Sequence, residues 1–161
     1  MNWLNLIDFR IFGGRCMEVL TENVVELTCV KQWEEAFPVM KQLRTDLVKE
    51  TYLELLSEMK KDGYRLFALY AENQIVALTG LSWRVNFYSK RHVFIYDLVT
   101  DVSHRSQGYG EKLLKSIHIW AKENGADYVA LESGVHRTEA HRFYEEKLHY
   151  DKWCYSFRKT I

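Results

Sequence analysis

DLVTDVSHRSQGYGEKLL, residues 97–114, decides how the rest of the chain is read. Its first four residues close an apolar, β-branched run from His92 to Thr100 that reads as a strand. Asp101 to Gln107 is a polar loop. From Gly108 the period lengthens to that of a helix: Leu113, Leu114, Ile117 and Ala121 share one face, and Gly125 is the stop. A glycine loop between strand and helix lets backbone approach a ligand closely. The first-turn N–H groups have no intrahelical partner and lie at the positive helix end, which suits a bound anion such as a pyrophosphate. Arg105, Lys112 and Lys115 add positive charge nearby. The pattern alone leaves two readings open, a phosphate cradle and a plain strand–helix turn. A Rossmann fingerprint fits worse, because Leu113 stands where its third glycine belongs and the loop follows the fourth strand.

Working outward, Val24 to Val30 reads as a strand. Helical spacing then takes over, with Trp33, Phe37, Met40 and Leu43 on one helix and Leu53, Leu56 and Met59 on a second that ends near Gly63. Tyr64 to Tyr70 and Ile75 to Phe87 form a hairpin about Glu72-Asn73-Gln74, and the polar turn Tyr88 to Arg91 leads into His92 to Thr100. After the Gly108 helix come a short strand, Tyr128 to Leu131, a helix, Thr138 to Lys147, and a last strand, Trp153 to Phe157. The order β-α-α-β-β-β-α-β-α-β predicts an α+β fold with a mixed sheet. The strand–helix–strand unit over residues 92–131 supplies its parallel pair.

The 161 residues suit one domain, since domains cluster at about 100–150 residues. Apolar residues at 47% and aromatics at 14% exclude a disordered chain. Twenty-two basic residues balance 22 acidic ones, which argues against a nucleic-acid coat. No apolar run is long enough to span a membrane. Cys16, Cys29 and Cys154 have neither CxxC nor metal-ligand spacing and read as free thiols of a cytoplasmic protein. His136, His141 and His149 do not match a zinc pattern, so no metal is expected. Residues 1–16 end at a Gly13-Gly14 hinge and a cysteine, and are expected to be an extension, non-native or disordered. Residues 17–161 then form the single domain.

Two blocks resemble the GCN5-related N-acetyltransferase (GNAT) family. Arg105-Ser106-Gln107-Gly108-Tyr109-Gly110 is similar to its Arg/Gln-x-x-Gly-x-Gly/Ala acetyl-CoA motif, and LESGVHRTEAHRFYEEKLHY, residues 131–150, to its later motif with Ala-x-x-x-Tyr. The resemblance covers about residues 20–158. It implies a splayed sheet flanked by helices, with acetyl-CoA as co-substrate in the cleft between the strands ending near Thr100 and Leu131. Leu98, Val99 and Thr100 would pair with the pantetheine arm. Arg105, Ser106, Gln107, Gly108, Tyr109, Gly110 and Glu111 would hold the pyrophosphate. Tyr144 falls on the tyrosine proposed as general acid, and Glu132 where some members place a general base. Val102 replaces a frequent Pro, Arg137 a frequent Asn, and His149 the usual Gly.

Read from spacing alone, Tyr144 is an aromatic packing on the sheet and Glu132 a solvated strand-end carboxylate; the resemblance moves Tyr144 into the chemistry. Asp97, inside an apolar strand, must be neutralised or bonded, as a substrate contact or through backbone N–H groups, the structural role being favoured. The resemblance implies acetyl transfer to a primary amine, on a small molecule or on a peptide or protein, by a monomer or homodimer without nucleic-acid or membrane partners. The competing reading is a non-catalytic acyl-CoA-binding or regulatory module of the same fold.

Overall fold

The computed structural model describes residues 9–12, 15–21 and 24–161. Along the chain run β1 (Phe9–Phe12), β2 (Arg15–Thr21), β3 (Val24–Leu27), α1 (Val30–Leu43), α2 (Lys49–Lys61), β4 (Arg65–Ala71), β5 (Gln74–Asn86), β6 (Lys90–Thr100), α3 (Tyr109–Glu123), β7 (Tyr128–Leu131) and α4 (Thr138–Arg142), the last continuing as a π-helical turn, Phe143–Lys147. The strands form one sheet in chain order, antiparallel except for β6 and β7, which are parallel across the α3 crossover. This is the expected mixed α+β fold.

Local chemistry explains the boundaries. The expected strand over Val24–Val30 stops at Leu27 because the Gln32 side-chain carbonyl accepts from the N–H groups of Thr28 and Cys29, at 2.8 and 3.2 Å, and starts α1. The β4–β5 hairpin turns on Glu72 and Asn73, both at positive φ (49° and 63°), the turn geometry that matches strand twist. On one face of the sheet, Ala36, Val39, Met40, Tyr52 and Leu56 of α1 and α2 cover Leu66, Ala68 and Leu78. On the other, Leu113, Leu114, Ile117 and Trp120 of α3 cover Phe67, Leu81, Val93 and Ile95. Each large side chain so buried contributes about 1.5–3 kcal/mol, so the buried face of α3 helps to hold the glycine loop ahead of it.

Phe9–Phe12 pairs with Arg15–Thr21, and β2 pairs with β3 at Val19↔Val25 and Thr21↔Val24. Of the segment 1–16 expected to be an extension, residues 1–8 and 13–14 lie outside the described residues. At the other end, Trp153–Phe157 is no strand: residues 151–161 carry no regular element, and Trp153, Tyr155 and Phe157 are exposed. The β pattern is present there, but a strand forms only where a ladder partner accepts it, and β7 pairs with β6 alone among the described residues.

Both β2–β3 register pairs lie after Met17. We therefore propose that a chain starting at Met17 folds and binds ligand normally, with a melting temperature within a few degrees of the full chain. A larger fall in a thermal melt would show that β1 supports the domain. No helix among the described residues is long and apolar enough to cross a membrane.

Candidate active site

Strand lengths create the cleft. β7 pairs with β6 only from His92↔Tyr128 to Ile95↔Leu131 and then ends, while β6 continues to Thr100. Leu98, Val99 and Thr100 are held on their other side by Thr79, Leu78 and Ala77 of β5. Their β7-side edge is open, with main-chain groups able to pair with an extended ligand. The parting begins at a bulge: β5 and β6 slip register between Gly80 and Leu81, so Gly80 faces Asp97 and Tyr96 has no opposite number.

The N-terminus of α3 looks into the same opening. Gly108, at φ 82°, is its cap, a left-handed position that favours glycine, and no side chain satisfies the first turn. Ser106 is also at positive φ, 61°. The Arg105 Nε donates to the Thr100 carbonyl at 3.3 Å and the Gln107 amide to the Ser103 carbonyl at 3.4 Å, which fold the loop back on itself. Gln42 of α1 ties the loop down, donating to Asp101 at 2.7 Å and accepting from the Val102 N–H at 2.8 Å. The Gln42 amide, with His104, holds the Asp101 carboxyl well below its usual value, at about 2. Lys115 donates to Glu111 at 2.6 Å, so this first-turn carboxylate is not free to fill the anion site. A Cβ on Gly110 would stand 3.0 Å from the Thr100 Oγ1 and 3.7 Å from the Phe143 Cζ. Strand edge, helix start and α4 extension therefore meet at one spot, where a side chain larger than that of glycine is crowded.

Tyr144 follows Phe143 in the π-helical turn and packs with Leu148 against the α3-side core. Its ring meets those of Phe143 and Tyr150, with centroids 5.5 and 5.9 Å away. Burial raises its phenol above the ordinary value, opposed by the positive charge of Arg137. Arg137, the family-pattern departure, caps α4 without a side-chain bond. His149 does occupy the left-handed region, φ 56°, where the family pattern has Gly. Glu132 lies just past β7 and is met by Arg158 at 3.6 Å, both side chains substantially exposed.

Asp97 resolves differently from either sequence option. Arg44 donates to its Oδ1 from two nitrogens, at 3.1 and 2.6 Å, and the Tyr64 hydroxyl donates to its Oδ2 at 2.8 Å. Burial, then Asp97 itself, keeps the Tyr64 phenol protonated far above its usual range. The Tyr52 hydroxyl is buried nearby without a hydrogen-bond partner and is also raised, first by burial and then by Asp97. Sequence reasoning missed Arg44, Tyr64 and Gln42. A carboxylate in an apolar strand announces that a donor exists, but the donor is 53 residues away from it for Arg44. Among the described residues, no group of His, Cys, Asp or Glu is placed to hold a metal ion.

Known proteins agree with this geometry. Residues 28–150 match the Acetyltransferase (GNAT) family model. The "Uncharacterized N-acetyltransferase YhdJ" of Bacillus subtilis (strain 168) is 43% identical over 140 residues, covering 86% of this chain and 99% of that protein. Among solved structures, the aminoglycoside N-acetyltransferase AAC(6')-Iy in complex with CoA superposes with a TM-score of 0.75 at 16% identity, over 85% of this chain and 93% of that one. An aminoglycoside acetyltransferase from an uncultured soil metagenomic sample, in complex with sisomicin, has a TM-score of 0.73 at 19% identity, over 86% and 95%. The mixed sheet with its flanking helices thus has the fold of these acetyltransferases. The chain belongs to the GNAT family, whose co-substrate is acetyl-CoA.

Proposed function

We propose that the protein is an acetyl-CoA-dependent N-acetyltransferase that moves the acetyl group directly to a primary amine. The observation that carries this is the convergence of Thr100, Gly110 and Phe143 at the open edge of β6. It puts free backbone donors of the α3 start beside an unpaired strand edge, the two features that a pyrophosphate and a pantetheine arm require. In this reading Leu98, Val99 and Thr100 pair with the pantetheine. Arg105 and the Ser106–Glu111 backbone hold the pyrophosphate.

The acceptor amine gives up a proton, to Glu132 directly or through water, and its nitrogen attacks the thioester carbonyl. A backbone N–H near Val99 polarises that carbonyl. The C–N bond forms, the C–S bond breaks, and Tyr144 protonates the departing sulfur. Its hydroxyl makes no hydrogen bond to any described residue, and burial keeps it protonated at neutral pH. None of the three cysteines lies in either motif, and none is needed, because one cleft supplies the proximity.

The ion pair of Glu132 with Arg158 favours the competing reading, a non-catalytic acyl-CoA-binding module, because it occupies the carboxylate. Glu132→Gln separates the two. Acetyl-CoA affinity by calorimetry is expected to stay unchanged while turnover falls about 10²-fold, within the range for general-base catalysis. Turnover within twofold of the unaltered enzyme would make Glu132 a bystander and pass the proton to water, since Arg44 and Tyr64 already occupy Asp97.

A further inference from the structure

The sheet face on the α1/α2 side continues past those helices. There β5 and β6 present Ser82, Arg84, Phe94 and Tyr96 beside the bulge. The Arg84 guanidinium stacks 3.5 Å from the Phe94 ring centroid and 5.0 Å from that of Tyr96. Its Nε and one terminal nitrogen donate to the Tyr96 hydroxyl at 3.3 and 3.2 Å, and that hydroxyl shares a 3.1 Å hydrogen bond with Ser82. Arg84 is therefore fixed in place by neutral groups only. It has no carboxylate partner among the described residues, and its second terminal nitrogen is unengaged.

Two other guanidiniums near this face are already paired. Arg44 takes Asp97 and donates to the Tyr96 carbonyl at 3.3 Å. Arg158 takes Glu132, which continues the alternation that puts Tyr128 and Ala130 on the same face as His92 and Phe94. Three guanidiniums thus stand against two carboxylates. A pre-oriented guanidinium with no anion of its own is a carboxylate fork waiting for a ligand. An acceptor carrying several positive charges would instead meet a surplus of the same sign.

We propose, resting on the acetyl-transfer reading of the cleft, that Arg84 is the anchor of an anion subsite and that the acceptor is an amine that also bears a carboxylate. The spacing sets its length. Tyr96 and Phe94 are two and four residues before Leu98, so the guanidinium stands about 7–13 Å along the strand from the pantetheine-pairing residues. That excludes a carboxylate on the carbon next to the reacting amine. It fits a terminal amine with a distant acid, as in a lysine side chain or a short peptide.

The test uses the full chain and three probes of one length: 6-aminohexanoate, whose amine and carboxylate are about 7–8 Å apart when extended, its amide, and 1,6-diaminohexane. Sisomicin is the polycationic control. With acetyl-CoA saturating, thiol release should favour 6-aminohexanoate over its amide by at least tenfold in kcat/KM. Arg84→Gln should abolish that preference, mainly through KM, with acetyl-CoA affinity and melting temperature unchanged. Arg84→Lys, which keeps the charge and loses the fork, should retain part of it. Equal rates on acid and amide, faster turnover of the diamine or sisomicin, no turnover of 6-aminohexanoate, or a preference that survives Arg84→Gln would each overturn the subsite while acetyl-CoA binding still stands. Absence of acetyl-CoA binding in the unaltered protein would instead remove the acetyl-transfer reading, and the subsite with it.

Discussion

Tyr144→Phe is expected to lower turnover by about one to three orders of magnitude and to leave melting temperature and acetyl-CoA affinity nearly unchanged. The substitution keeps the ring that packs on Phe143, Tyr150 and the α3-side core and removes only the hydroxyl. A phenol suits the role because its reference pKa, about 10, lies close to that of an alkyl thiol. Burial moves Tyr144 above that value, with Arg137 pulling the other way. A raised pKa means that the proton is retained to higher pH, so the alkaline fall in turnover due to this group begins above about pH 10. That limb should disappear in the variant. Steady-state kinetics across pH on any accepted amine checks both points. Full activity with an unchanged alkaline limb would falsify the acid role and leave Tyr144 as packing.

Gly110→Glu is expected to weaken acetyl-CoA binding by tenfold to hundredfold or more. Even the Cβ crowds the Thr100 Oγ1 at 3.0 Å and approaches Phe143, where strand edge and helix start meet. The added carboxylate would lie in the first turn of α3 and compete for the same backbone N–H groups as a phosphate. Losing one hydrogen bond to a charged group costs about 1.5–3 kcal/mol, which is that range of affinity. The same carboxylate is favourable to the helix itself, so the free protein should melt within a few degrees of the unaltered one. Calorimetry that returns unchanged affinity would move the phosphates away from this loop.

The parts legible in the sequence are those set by local periodicity. Leu113, Leu114 and Ile117 announced α3 and its buried face, and the β-branched run ending at Thr100 announced the strand before it. Tyr128–Leu131 is a strand at the expected residues. The glycine loop was legible for a different reason: Gly108 needs its left-handed φ and Gly110 its empty space, and both needs are written as residue type. Long-range polar pairing was not legible. Asp97 declared a buried charge, but Arg44 and Tyr64 reach it from other elements. The bulge at Tyr96, next to the point where the β6–β7 ladder ends, also escaped, because one unpaired residue leaves the apolar pattern almost unchanged. Trp153–Phe157 shows the converse error, a β pattern with no ladder to join.

The central claim is that acetyl is handed from acetyl-CoA directly to an amine in the β6/β7 splay. Its most direct test mixes the full chain with acetyl-CoA and an amine panel, and follows free thiol and N-acetylated amine together by absorbance and mass spectrometry. One thiol should appear for each acetylated amine, with no acetyl group left on the protein and no net thiol release when the amine is omitted. Tight acetyl-CoA binding with no thiol release on any amine would contradict the claim and make the chain a binding module.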